Sequence, residues 1–172
     1  MIDLVEDDGD WAAFGSVDDI AALAREVAKH VAGTEEIAEL LPPPPHAAEV
    51  VVALSSDAAV AELNARYRGM AKPTNVLSFP SLAGAASSAD GVLPLGDIVL
   101  AMETVAAEAG DLGIRPADHL RHLIVHGLLH LLGHDHMEPD EAEEMEALET
   151  RILASLGVAD PYAGRELSEA PP

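Results

Sequence analysis

The chain has 172 residues, no cysteine and a formal net charge of −22, from 31 acidic and 9 basic side chains. This length fits one domain with a substantial core, and the lack of cysteine excludes disulfides, thiolate metal sites and cysteine nucleophiles. The negative charge excludes a broad electrostatic interface with nucleic acid, which needs many Lys and Arg side chains facing phosphates.

The first half of the chain predicts alternating strands and helices. MIDLVED predicts a strand, and a helix capped by Ser16 follows it. The apolar face of this helix contains Ile20, Leu23, Ala24, Val27 and Val31. The prolines of LPPPPH at 41–46 form a rigid connector before the strand AEVVVAL. A second helix is predicted from Asp57 to Tyr67, with Ser55 or Ser56 as its cap and Gly69 as its end, and the strand TNVLSFP comes next.

The second half begins with a small, polar loop at 81–92 and the strand LPLGDIVLA. METVAAEAGDLG predicts a helix that ends at Gly113. A long helix is predicted from Pro116 to Leu132, where Gly133 breaks it. The last helix is predicted from Pro139 to Leu156. Its inner face contains Met145, Leu148, Ile152 and Leu156.

This order of elements predicts an α+β domain, in which several helices pack against a small mixed sheet. The strands are too few and too unevenly spaced for a doubly wound sheet. We expect one domain over residues 1–162 and a disordered tail at 163–172. The acidic N-terminus lacks the features of a signal peptide, and no segment has transmembrane length, so we expect a cytoplasmic protein.

The segment HGLLHLLGHDH at 126–136 predicts a metal site at the end of the long helix. His126 and His130 are four residues apart, which places two imidazoles on one helix face within reach of one ion. Gly133 can end the helix in a left-handed turn and bring His136 to the same ion. Three histidines without a fourth protein ligand leave one coordination position open, as in catalytic zinc sites. Imidazole also suits nickel and cobalt, so the pattern does not identify the metal.

The same spacing matches the metzincin pattern H-E-x-x-H-x-x-G-x-x-H at its three histidines and its glycine. The pattern fails where those proteases carry their catalytic glutamate, because Gly127 occupies that position. The zincin ligand geometry is therefore predicted without its general base, which disfavours peptide hydrolysis by the usual route.

Further polar residues surround these candidates. His134 ranks below His136 as a ligand, because it would align with the first two histidines only if the helix continued past the glycine. Asp135 is predicted to cap the turn or to contact a ligand. His122 continues the histidine stripe backwards and is a candidate partner of a ligand, whereas His119 is expected on the polar surface.

Arg66, Arg68 and Lys72 place three of the nine basic residues within seven positions. A guanidinium near a metal site suits phosphoryl chemistry, since it can hold a phosphate oxygen and stabilise developing charge. The alternative is that these residues balance acidic neighbours at the surface. Asp97 begins an apolar strand after a glycine, where it either orients a group near the metal or forms a turn.

Together these motifs resemble the YbeY family of endoribonucleases, whose signature is H-G-x-L-H-L-x-G-Y-D-H. The similarity covers roughly residues 48–162 and includes LNARYRGMAKPTNVLSFP, LGDIVLA and LGVADPY. The chain departs from the family at His134, which replaces the tyrosine, and at Asn75, where many members have aspartate. Neither departure affects the three candidate ligands.

The resemblance implies that His126, His130 and His136 bind one zinc ion and that Arg68 and Asp97 serve catalysis. It further implies a zinc-dependent hydrolase that is specific for single-stranded RNA. Its expected roles are maturation of the 3′ end of 16S rRNA and ribosome quality control.

The expected partners are RNA, the small ribosomal subunit and its associated proteins, with no DNA or membrane partner. Because the chain is so acidic, we expect the ribosome or partner proteins to supply much of the docking energy. Two alternatives stay open. One is a zinc metalloprotease-like hydrolase whose base comes from elsewhere, and the other is a non-enzymatic ribosome-assembly factor with structural zinc.

Overall fold

Four β-strands and six α-helices form within the residues that the computed structural model describes, which are 1–44, 46–82, 90–135 and 137–164. The strands are β1 (Ile2–Glu6), β2 (Ala47–Ser55), β3 (Val76–Pro80) and β4 (Val92–Ala101). The helices are α1 (Val17–Ala32), α2 (Glu35–Ala38), α3 (Asp57–Arg68), α4 (Met102–Leu112), α5 (Pro116–Leu131) and α6 (Pro139–Ser155). A short 3₁₀ helix, Ala12–Phe14, precedes α1.

The sheet is mixed and has the strand order β1–β2–β4–β3. β1, β2 and β4 run parallel, with Ile2 opposite Val50 and Val51 opposite Asp97. β3 runs antiparallel to β4 at one edge, where Phe79 lies opposite Asp97. Parallel neighbours cannot be joined by a tight turn, so α1 and α2 connect β1 to β2.

α1 begins at the residue that the sequence predicts. The Ser16 hydroxyl accepts a hydrogen bond from the Asp19 backbone N–H, and the Asp19 carboxylate accepts one from the Ser16 backbone N–H. This capping box satisfies two backbone donors at the start of the helix. The predicted apolar face is buried as expected.

Apolar side chains cover both faces of the sheet. Ile98 and Leu100 of β4 belong to the main core, which also contains residues of α1, α5 and α6. Val99 and Ala101 face the opposite side, where they pack with Val60 of α3. Successive residues of β4 therefore face opposite layers, as the period of a strand requires. α5 packs in the main core and carries two of the candidate metal ligands, His126 and His130.

The predicted α+β class is confirmed, as are the four strands and the five longer helices. α5 ends at Leu131 and α6 at Ser155, each one residue before its predicted end. The short helix α2 was not predicted. Within the described ranges, none of the helices is long and apolar enough to span a bilayer. Residues 83–89 of the predicted loop and 165–172 of the predicted tail lie outside the described residues.

Candidate metal centre

A stripe of four imidazoles lies along one side of α5. The ring centroids of successive histidines are 6.1, 6.4 and 4.5 Å apart. The stripe contains His119, His122, His126 and His130. Their spacing of three, four and four residues keeps the side chains on one helix face.

The closest pair in this stripe is the pair that the sequence predicts as ligands. Nε2 of His126 and Nε2 of His130 are 3.0 Å apart, and both side chains are half-buried. Two neighbouring imidazole nitrogens fit the donor set that zinc, nickel or cobalt prefers. The third predicted ligand, His136, lies outside the described residues, and its role stays a prediction. Within the described ranges no three His, Cys, Asp or Glu side chains form a group that could hold a metal.

Gly133 ends α5 in the predicted left-handed turn. Its backbone φ is +95°, a conformation that residues other than glycine rarely adopt. The Gly133 N–H donates to the His130 carbonyl at 3.1 Å, and the His134 N–H donates to the Leu129 carbonyl at 3.0 Å. This pair of bonds is a Schellman motif, which reverses the chain directly after the histidine pair.

Glu149 of α6 is a member of the site that the sequence analysis missed. Its side chain is 1% exposed, and its Oε1 lies 2.5 Å from Nδ1 of His126. Its Oε2 accepts a hydrogen bond from the Tyr162 hydroxyl and lies 3.4 Å from Nε2 of His122. His122 therefore lies beside Glu149, and its predicted role as a partner of a ligand stays a prediction.

Burial alone would raise the pKa of Glu149, but hydrogen bonds from His122, His126 and Tyr162 outweigh it. Together they lower the pKa of this carboxyl to about 2. The side chain is therefore an anion at neutral pH. A helical phase count could have found it, because Glu149 lies four residues after the buried Met145 and three before the buried Ile152.

Gly127 lies close to β4 of the sheet. A Cβ at this position would be 2.9 Å from Cδ1 of Ile98 and 3.1 Å from both Cγ atoms of the same side chain. The Ser78 hydroxyl of β3 also donates to the Gly127 carbonyl at 3.4 Å. The sequence shows only that the zincin glutamate is missing. The structure adds that the position faces the sheet and has no room for a larger side chain.

Arg66, Arg68 and Lys72 lie at and just after the end of α3, and all three are exposed. In the part of the chain that the structure describes, none of them forms an ion pair. Tyr67 lies among them with 64% of its surface exposed, and its ring contacts Phe79 edge-on at 5.3 Å between centroids. The exposed basic residues therefore form a local cationic surface whose charge is not cancelled by an ion pair with acidic neighbours.

Asp97 is exposed in the middle of β4, between Val51 and Phe79 of the neighbouring strands. Its neighbour Ile98 contacts α5, so strand alternation directs Asp97 to the opposite side of the sheet, where α3 packs. The structure thus places Asp97 on the same side of the sheet as α3 rather than beside the histidine pair. Its catalytic role stays a prediction.

His119 is buried, and the expectation that it lies on the polar surface is wrong. It is 4% exposed, and its Nε2 lies 2.7 Å from Oε2 of Glu108. The Asn75 amide donates to the same carboxylate at 3.1 Å. This contact joins α4, α5 and the segment before β3. The sequence could not reveal it, because the three residues are far apart along the chain.

Comparison with known proteins identifies a family that this chain resembles over most of its length. The family model described as "Endoribonuclease YbeY" matches residues 9–157. A protein of that name from Parvibaculum lavamentivorans is 50% identical over 167 residues, covering 94% of this chain and 84% of the relative. One from Azorhizobium caulinodans is 49% identical over 162 residues, covering 93% and 94%. The solution structure of a Thermotoga maritima protein has a TM-score of 0.51 at 20% identity and covers 99% of this chain and 100% of that chain, which supports the fold.

Proposed function

The chain belongs to the YbeY endoribonuclease family, and from this premise we propose that it is a zinc-dependent endoribonuclease specific for single-stranded RNA. Its proposed roles are maturation of the 3′ end of 16S rRNA and ribosome quality control in the cytoplasm. The observation that best supports this function is the pair of imidazole nitrogens 3.0 Å apart at the end of α5.

In this proposal His126, His130 and His136 hold one zinc ion. When bound, zinc supplies Lewis acidity toward a phosphate oxygen or water. Gly127 provides no carboxylate beside the first histidine, so the glutamate-dependent proton transfer of zincin proteases has no counterpart there. The contact of Gly127 with Ile98 also disfavours the protease alternative, because a glutamate at this position would collide with β4.

The basic residues after α3 are proposed to bind the RNA backbone. The Arg68 guanidinium can donate two parallel hydrogen bonds to a phosphate and so stabilise negative charge that develops during cleavage. With three cationic contacts to single-stranded RNA, the logarithm of the binding constant would fall with the logarithm of the salt concentration with a slope of only about −2. This contribution is small for a chain with a net charge of −22, which supports docking through the small ribosomal subunit and its proteins.

The function is tested with wild-type protein carrying one zinc ion per chain. We expect cleavage of a single-stranded RNA, much slower cleavage of the same sequence in a duplex, loss of activity on chelation and recovery with zinc. An unstructured polypeptide serves as the substrate for the protease alternative. Full activity in metal-free protein, or faster cleavage of the polypeptide than of the RNA, would contradict the proposal.

We expect Arg68→Ala to slow RNA cleavage by about 10²–10³-fold, as the loss of one donor to a charged transition state does in other enzymes. The folded state should be unaffected, because the Arg68 side chain is exposed and forms no ion pair among the described residues. Single-turnover cleavage and circular dichroism measure the two effects. Arg25→Ala, at an exposed position of α1, is the control for loss of one positive charge.

If Arg68→Ala cleaves RNA at the wild-type rate, the arginine has no catalytic role. Intact 16S rRNA maturation in cells carrying this variant would then favour the assembly-factor alternative. An effect of equal size in Arg25→Ala would show that overall charge, rather than the position of Arg68, controls the rate.

A further inference from the structure

We propose that Glu149 is the positioning residue for His126. Its carboxylate holds the imidazole with the proton on Nδ1 and thereby makes Nε2 the nitrogen available to a metal. This inference rests on the proposed metal site and assigns a role to a residue of α6 that lies outside the histidine motif.

The first argument is burial. Within the described ranges Glu149 is the only buried carboxylate. A buried charge costs several kcal/mol unless hydrogen bonds compensate for the lost water. Both oxygens of Glu149 have such partners, with His126 at Oε1 and the Tyr162 hydroxyl at Oε2. The carboxylate is therefore held in one orientation from two sides.

The second argument is the direction of the bond to His126. The carboxylate oxygens of Glu149 act as acceptors, since the Tyr162 hydroxyl already donates to Oε2. Because Oε1 of Glu149 lies 2.5 Å from Nδ1 of His126, this nitrogen must be the donor in the pair. A neutral imidazole protonated at Nδ1 carries its lone pair on Nε2.

The third argument is where that lone pair lies. Nε2 of His126 is the atom 3.0 Å from Nε2 of His130, on the side of the ring away from Glu149. A carboxylate on one imidazole nitrogen and a metal on the other is a recurrent arrangement in metalloproteins. In such sites the carboxylate fixes the ring orientation and raises the basicity of the ligand.

The helical position of Glu149 explains why the other acidic residues of α6 do not take this role. Glu149 lies on the buried face with Met145, Leu148 and Ile152, whereas Glu144 of the same helix is exposed. Glu144 therefore offers a matched control, because the same substitution there deletes one negative charge at a solvent-exposed position.

The test compares the zinc affinity of Glu149→Leu with that of Glu144→Leu by competition with a chromogenic chelator. We expect Glu149→Leu to bind zinc about 10–100-fold more weakly, the usual cost of losing such a partner of a ligand. Glu149→Gln, which keeps an acceptor but no charge, should fall between this variant and wild type. Glu144→Leu should bind zinc as wild type does.

Stability of the metal-free proteins separates positioning from a structural role. Removing the acceptor from a buried hydrogen-bonded group leaves its partners unpaired, so Glu149→Leu is expected to lower the unfolding temperature of the metal-free protein. Glu149→Gln keeps an acceptor for the same partners, and we therefore expect metal-free Glu149→Gln to unfold at a temperature close to that of the wild type, while its zinc affinity falls. Wild-type zinc affinity in this variant would overturn the proposal.

The tautomer of His126 provides a readout that needs neither zinc nor RNA. Nitrogen-15 NMR of the metal-free wild type should show the proton on Nδ1, and Glu149→Leu should lose this preference. If Glu149→Leu does not fold, Glu149→Gln replaces it, and this variant should weaken the preference for the proton on Nδ1. A proton on Nε2 in the metal-free wild type would overturn the proposal, whereas RNA cleavage without zinc would overturn only the proposed function.

Discussion

Replacing His130 by alanine is expected to remove zinc from the purified protein and to slow RNA cleavage by at least about a thousandfold, because the histidine pair is lost as a unit. Nε2 of His130 faces Nε2 of His126 at 3.0 Å, so one substitution removes half of the donor pair. Metal content by mass spectrometry and cleavage of a single-stranded RNA are measured on the same preparation.

The control for this prediction is His46→Ala, which removes an exposed histidine of the connector before β2. It should retain both zinc and activity. His130 is only half-buried, so we expect its alanine variant to keep the wild-type circular dichroism spectrum. A folded, zinc-free His130→Ala that cleaves RNA at the wild-type rate would show that a contaminating nuclease is responsible. Unfolding of the variant together with loss of zinc would instead indicate a structural metal.

The parts of the fold that were predicted correctly depend on interactions between residues close in sequence. Ser16 caps α1 through contacts three residues away, and the turn at Gly133 ends α5 through bonds that Gly133 and His134 donate to carbonyls three and five positions earlier, respectively. The apolar period of 3.6 located the buried faces of α1 and α6 for the same reason. These features need no knowledge of what packs against the helix.

The parts that were missed depend on residues brought together from distant segments. Glu149 is 23 positions from His126, and Glu108 is 33 positions from Asn75. The parallel pairing of β2 with β4 likewise places Val51 beside Asp97. Charged residues are rarely buried unless they are paired, so the sequence favoured exposed positions for Glu149 and His119. Only tertiary packing supplies the partners that reverse this preference.

Gly127 combines both kinds of information. The motif shows that a zincin would carry glutamate there, which is a statement about chemistry. The structure shows that any Cβ would lie 2.9 Å from Ile98, which is a statement about packing. Glycine at position 127 therefore has two effects. It provides no catalytic carboxylate, and it allows α5 to pack closely against β4. Restoring the protease motif would require the Ile98 side chain or the helix to move.

We accordingly expect Gly127→Glu to be destabilised by more than about 3 kcal/mol, because it adds overpacking to a charge that is buried without a partner. Gly127→Ala should cost about 1–2 kcal/mol, since the gain in helix propensity only partly offsets the collision with Ile98. Urea denaturation measures both free energies of unfolding. Gly110→Ala is the control, because a Cβ there meets no atom within 4 Å and the change should stabilise α4 by up to about 1 kcal/mol.

A double variant tests whether Ile98 is the cause. Ile98→Val removes Cδ1, the atom closest to the added Cβ, and should therefore relieve part of the cost of Gly127→Ala. We expect the two substitutions together to destabilise the protein by less than the sum of their separate effects, with a coupling of about 0.5 kcal/mol or more. Additive effects, or a Gly127→Glu variant as stable as wild type, would mean that α5 does not rest on β4 at this point. The significance of Gly127 would then be only that it is not a catalytic glutamate, and packing would not require a glycine there.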